Sequence, residues 1–203
     1  MYQIILASAS PRRREIMETM GIPYTVITSN VEEVVEETEP SDMVQALARL
    51  KTDAVDKLLS AEHKEYKEVI ILGADTMVFY KNHALGKPKD MQDAQKMLHM
   101  LSDDVHEVFT GVSIIIIGKD GKREETAFAV CTKVHVQALT TEQIMEYIAT
   151  GEPMDKAGAY AIQGKFGIFI KAIEGDYYNV VGFPIAKIYD NLLARGIDIK
   201  KLN

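Results

Sequence analysis

The sequence predicts an α/β protein with a mixed, partly antiparallel central sheet flanked by helices, and three observations carry that expectation. Gln3 to Ala7 is an apolar run that enters a helix through the small-residue loop Ser8-Ala9-Ser10, a strand, loop and helix in succession. Val105 to Gly118 and Glu124 to Val136 are two long strand-like runs joined by Lys119-Asp120-Gly121-Lys122, where Asp-Gly signals a hairpin. Between such runs lie stretches with helical spacing of apolar residues, so hairpins and helices alternate along one chain. With 203 residues the chain is expected to form one domain, residues 1–203, in two lobes.

In chain order, Pro11 to about Met20 reads as the first helix, with proline at its start and Gly21 at its end. Tyr24 to Thr28 reads as a strand, and the acidic run around Glu32, Glu33, Glu36, Glu37 and Glu39 as a solvated loop. Ser41 is placed to cap a helix from Asp42 to about Leu59, whose apolar face is written by Met43, Leu47, Leu50, Ala54 and Leu58, with Lys51 at its border. Ser60 to Lys67 is a polar connection, Ile70 to Phe79 a buried strand, Lys81-Asn82-His83 a turn, and Leu85 to Lys89 a basic loop stiffened by proline.

Asp90 caps a helix from Met91 to Leu101 with Ala94, Met97, Leu98 and Leu101 inward. Thr140 and Gln143 form a capping box for a helix that runs to Ala149 and is closed by Gly151. Gly167 to Ile173 and Val180-Val181 read as strands, and Pro184 opens a last helix to about Arg195, ended by Gly196.

Composition narrows the function. A net charge of -7 argues against a nucleic-acid polymer as partner, and no apolar run is long enough to span a bilayer. The single cysteine, Cys131, has no partner in the chain for a disulfide, which fits a reducing cytoplasm. His106 and His135 fall in strands at no metal-ligand spacing, and neither a Gly-Lys-Ser/Thr phosphate loop nor a dinucleotide-binding glycine fingerprint is present.

Asp75 is the anomaly, a carboxylate inside the run Ile70 to Phe79, where it needs a cation, a metal or hydrogen-bond donors. Its competing reading, the N-cap of a following helix, meets the strand-like Met77-Val78-Phe79-Tyr80 and no capping partner. Gly73 and Ala74 before it leave room for a close approach to the backbone.

A second focus is Ser8-Ala9-Ser10-Pro11-Arg12-Arg13-Arg14, with three cations at a helix N-terminus that is already positive. Such a turn suits an anion, and the competing reading is a solvated basic turn. Lys51, Lys87 and Lys156 each read singly as exposed lysines; with the arginines and the acids Glu33 and Asp75 they describe a site for a polyphosphate bridged by a hard divalent cation. The amide of Gln163 could read the edge of a nucleobase.

The segments Leu6 to Arg13, Gly73-Ala74-Asp75-Thr76, Gly86-Lys87-Pro88, Thr110-Gly111-Val112, Asp155 to Tyr160, Gly175-Asp176-Tyr177 and Val180-Val181-Gly182 together resemble the Maf family of nucleotide pyrophosphatases, essentially end to end. The resemblance implies a house-cleaning hydrolase that cuts nucleoside triphosphates to monophosphate and pyrophosphate with Mg2+ or Mn2+. It also implies a two-lobed α/β fold with a cleft, similar to inosine-triphosphate pyrophosphatase, and a homodimer.

On that resemblance Asp75 is the proton acceptor and, with Glu33, a metal ligand. Ser8, Arg12, Arg13, Lys51, Thr76, Lys87, Lys156 and Gln163 bind substrate, and Arg12, Thr76 and Gln163 bear on its choice. Asp155 to Tyr160 with Ile162-Gln163-Gly164 looks like the branch that acts on dTTP and UTP, with Ala161 where that branch usually has glycine and Phe183 where it usually has leucine. The alternative from another class is a nucleotide-binding regulator of cell division without turnover.

Overall fold

The computed structural model describes residues 1–62 and 67–202. Its seven-stranded sheet has the order β2-β1-β3-β5-β6-β7, with β4 paired to β3 off that path. The strands are β1 (Gln3–Leu6), β2 (Thr25–Val26), β3 (Val69–Tyr80), β4 (His83–Leu85), β5 (Val105–Ile117), β6 (Arg123–Val136) and β7 (Ile170–Glu174). The helices are α1 (Pro11–Thr19), α2 (Pro40–Glu62), α3 (Met91–Leu101), α4 (Thr141–Ala149), α5 (Tyr177–Val181) and α6 (Ile185–Leu193). Pairing is parallel for β1 with β2 and β3, and antiparallel for β3 with β4 and β6 with β7, so the sheet is mixed as expected. Among the described residues no helix is long and apolar enough to cross a membrane.

Contacts divide the chain into two compact units. The first holds Met1–Asp75, Thr110–Ala129 and the segment from Gly182 onward. Its core joins Ile5, Ala7, Val69, Ile71, Ile115 and Ile117 of the sheet to Val55 and Leu59 of α2. Burying such aliphatic side chains stabilises by about 1.5–3 kcal/mol each, which decides the face α2 presents.

That face is turned by one position from the one expected. Leu47 is buried as expected, but Val44, Ala48, Thr52, Val55 and Leu59 complete the buried face, whereas Met43, Leu50 and Ala54 are only partly buried and Leu58 is exposed. The reason lies in the sheet: a Cβ on Gly111 would fall 2.1 Å from the Val44 carbonyl oxygen, and one on Gly73 would fall 2.6 Å from the Thr52 methyl. The helix lies against bare backbone at both places, and Thr52 Oγ1 shares a 2.7 Å hydrogen bond with Ser113 Oγ of β5. The close approach expected at Gly73 is therefore made by a helix. Nor is Ser41 the cap: Pro40 is the first helical residue, and Glu39 O accepts from the N–H groups of Asp42 and Met43. The polar connection expected over Ser60 to Lys67 falls largely on residues 63–66, outside the described residues, after a helix that continues to Glu62.

The second unit comprises Thr76–Phe109 and Val130–Val181. Lys81 and Asn82, both at positive φ, make the two-residue turn that pairs Tyr80 with His83. The expected caps are present: Asp90 accepts from Asp93 N–H, and Thr140 with Gln143 forms the reciprocal box. The core gathers Val78, Leu98, Leu101, Val108, Val134, Tyr147, Ile148, Tyr160 and Phe166.

Two segments differ from expectation. Lys165–Phe169 is a 3₁₀ turn, so β7 starts only at Ile170. Val180-Val181 is the end of helix α5, not a strand. Strand propensity loses there to local and tertiary hydrogen bonds: Asp176 Oδ1 accepts from Tyr178 N–H at 2.8 Å, and the buried Asn179 donates to Val108 O and Thr132 Oγ1, each at 2.9 Å. The Tyr24–Thr28 strand is reduced to β2, Thr25–Val26.

Candidate functional site

The turn between β1 and α1 is built around Arg13. Only 8% exposed, its guanidinium donates through Nε to Gly182 O at 2.8 Å and through Nη1 to Ser8 Oγ at 2.9 Å. Ser8 Oγ also accepts from Ser10 N–H at 3.2 Å, so one hydroxyl closes the turn and orients the arginine. Burial lowers the Arg13 pKa to about 10; Asp75 and Glu33 pull it back up, and Arg12 adds to the lowering. The three arginines are thus not one repelling surface patch: Arg13 is inside, Arg12 half-buried and Arg14 exposed.

Arg13→Ala is accordingly expected to destabilise the fold by about 2–4 kcal/mol, since it leaves two buried acceptors and a cavity, while Arg14→Ala stays within about 0.5 kcal/mol. Urea midpoints of the two variants check this, and equal midpoints would place Arg13 outside the framework.

Asp75 lies within β3, which removes the N-cap reading. Side chains alternate along a strand, so Asp75 shares a face with Ile71 and Gly73, the face α2 covers. Lys51 sits one turn from the buried Leu47 and Val55 on that helix, and its stem is held at the same surface. Its ammonium reaches Asp75 Oδ1 at 2.5 Å and Glu33 Oε1 at 3.1 Å, with side-chain exposures of 17% for Lys51, 13% for Asp75 and 52% for Glu33. Two carboxylates therefore converge on one cation.

That donor set fits a hard divalent ion of the Mg2+ kind, which takes one or two carboxylates and completes its shell with water and phosphate oxygens. Among the described residues no group of three or more His, Cys, Asp or Glu side chains gathers to form a full protein cage.

The first unit thus brings together Ser8, Arg13, Glu33, Lys51 and Asp75, with Arg12 beside Arg13 in the chain. Thr76, Lys87, Lys156 and Gln163 belong to the second unit. There Gly158 N–H donates to Gly86 O at 3.1 Å, tying the Lys87 loop to the Lys156 loop, and Gly158 packs on Val78, which shares a face of β3 with Thr76. Lys156 pairs with Asp155, Lys87 is exposed, and Gln163 is exposed on the turn that Gly164 N–H closes to Ala161 O at 3.1 Å.

Two participants were not legible beforehand. The Gly182 carbonyl partners Arg13 from 169 residues away, and Glu152 braces the Gln163 turn by accepting from Tyr147 OH and Lys165 N–H. Gly182 stands at φ 111°, and its place in the motif Val180-Val181-Gly182 was its signal in the sequence.

Fold and site together define an α/β protein with a buried arginine at its first strand-to-helix turn and two carboxylates paired on one lysine of α2. Residues 3–195 match the family model described as Maf-like protein. The chain is 49% identical over 201 residues to a dTTP/UTP pyrophosphatase of Lachnoclostridium phytofermentans, covering 99% of each chain. It is 46% identical to proteins of the same name from Agathobacter rectalis, over 98% of this chain and 100% of that one, and Bacillus cytotoxicus, over 95% of each. Among solved structures it is similar to the Staphylococcus aureus Ham1 protein, with 18% identity, a TM-score of 0.47 and coverage of 95% of this chain and 99% of that chain. The chain belongs to the Maf family, an assignment that stands on the sequence matches alone.

Proposed function

We propose that the chain hydrolyses dTTP and UTP to the monophosphate and pyrophosphate, supported by the names of its full-length relatives and above all by the meeting of Asp75 and Glu33 at the Lys51 ammonium. Water attacks the α-phosphorus, the bond from that phosphorus to the oxygen bridging the β-phosphate breaks, and pyrophosphate leaves with that oxygen. Asp75 orients the water and accepts its proton. Lys51, Arg12, Lys87 and Lys156 offset charge on the phosphate oxygens, and Arg13 holds Ser8 and the turn in place. Glu33 and Asp75 would hold a Mg2+ or Mn2+ ion, which when bound would neutralise phosphate charge. Positioning and electrostatics carry most of the rate.

Gln163 meets the base, where an amide donates to one pyrimidine carbonyl while accepting from the adjacent ring N–H. Uracil and thymine share that edge and cytosine reverses part of it, so dTTP and UTP are expected to turn over well and CTP at least about tenfold worse in kcat/KM. Thr76 and Arg12 bear on the same choice. The enzyme acts as a homodimer; it works in the cytoplasm on free nucleotides, a reading of place and substrate supported by the lone Cys131 and the net charge of -7.

The deciding experiment is pyrophosphate release from dTTP, UTP and CTP with Mg2+ or Mn2+ in 18O-labelled water. Many turnovers per enzyme with the label in the monophosphate support the proposal. Binding without turnover would favour a nucleotide-sensing regulator, and label in pyrophosphate would move the attack to the β-phosphorus.

A further inference from the structure

We infer that Glu152 is a positioning residue for base selection: its carboxylate fixes the turn over residues 161–165 that carries Gln163. This rests on the reading that Gln163 meets the base. Both oxygens of Glu152 are used, Oε1 accepting from Tyr147 OH at 2.8 Å and Oε2 from Lys165 N–H at 3.1 Å. The carboxylate thereby joins helix α4 to the far side of the turn. Tyr147 is itself buried, with its ring 5.0 Å from that of Phe166, so the anchor continues into the core of this unit. Burial and the neighbouring carboxylate both push the Tyr147 phenol pKa up, which keeps it a donor.

Gly164 records the same arrangement from the other side. Its φ of -98° is open to any residue, so the backbone does not demand glycine there. A Cβ at Gly164 would instead lie 2.1 Å from Glu152 Oε1 and 2.4 Å from its carboxyl carbon. The absent side chain is the space the carboxylate occupies. An exposed amide such as Gln163 discriminates between bases only if its backbone is held, because a loose turn lets it meet either edge.

The test is the ratio of kcat/KM for UTP to that for CTP in the wild type, Gln163→Ala, Glu152→Gln, Gly164→Ala and Tyr147→Phe, with urea midpoints for each. Gly164→Ala is expected to lower the ratio about tenfold, since its methyl expels the carboxylate and breaks both bonds. Glu152→Gln keeps the shape but only one acceptor oxygen, and Tyr147→Phe removes one donor; each is expected to lower the ratio about threefold. A merely structural Glu152 would lower the urea midpoint and slow both substrates alike, leaving the ratio unmoved. If Gln163→Ala changes the ratio while the Glu152 and Gly164 variants do not, the positioning role is overturned and the Gln163 reading survives. If those variants change it and Gln163→Ala does not, the braced turn stands and another residue on it reads the base. A ratio that none of the four changes overturns both. Should Glu152→Gln fail to fold, Gly164→Ala, which keeps every charge, carries the test alone.

Discussion

Asp75→Asn is expected to slow dTTP hydrolysis by about a thousandfold while leaving a folded protein, because an amide of the same shape can neither accept a proton from water nor give a hard cation a charged ligand. The fold should tolerate the change. The substituted amide oxygen can still accept from Lys51, and Lys51 keeps Glu33 as a counter-ion at 3.1 Å. The loss of one negative charge also withdraws support from the buried Arg13, whose charged form Asp75 favours. Melting should therefore fall by a few degrees at most, and single-turnover rates measured beside the melting curve separate the effects. A folded Asp75→Asn protein that turns over within tenfold of the wild type would take Asp75 out of the chemistry.

Gly111→Ala is expected to be the most damaging small substitution, at about 4 kcal/mol or more of stability. The new methyl would meet the Val44 carbonyl oxygen at 2.1 Å, its carbon at 2.2 Å and the Gln45 nitrogen at 2.6 Å, all backbone atoms of α2. No rotamer change relieves a backbone clash, so the helix must move off the sheet, and Lys51 is carried by that helix. Activity should consequently fall even in the fraction that folds. Gly86→Ala is the control, since a Cβ there meets nothing within 4 Å. Equal thermal midpoints for the two variants would mean that α2 is not seated as described.

What the sequence disclosed follows from how local each determinant is. Helices α3 and α4 were readable because Asp90, Thr140 and Gln143 cap them from within three residues. The face of α2 was legible only at Leu47, because two stripes share one helical period, Met43, Leu50, Ala54 and Leu58 beside Val44, Ala48, Val55 and Leu59, and glycines in distant strands choose between them. Val180-Val181 misleads for the same reason, since a buried asparagine outweighs valine's strand preference. In the site, Asp75 was legible as an ionisable group in an apolar run, and Lys51 as a lysine bordering a buried stripe. Arg13 reads in the sequence as part of a repelling surface because the partners that bury it are supplied by the folded chain, one of them 169 residues away.

The pair between Lys51 and Glu33 also says something about how the chain is tethered. Residues 28–39 run without regular secondary structure apart from a final bend, and Glu33 ties the middle of this segment to α2. An ion pair whose acid is 52% exposed contributes roughly 0.2–1 kcal/mol, so this tether is an interaction of thermal size. Glu33 can pass from the lysine to another cation without any packed element having to move.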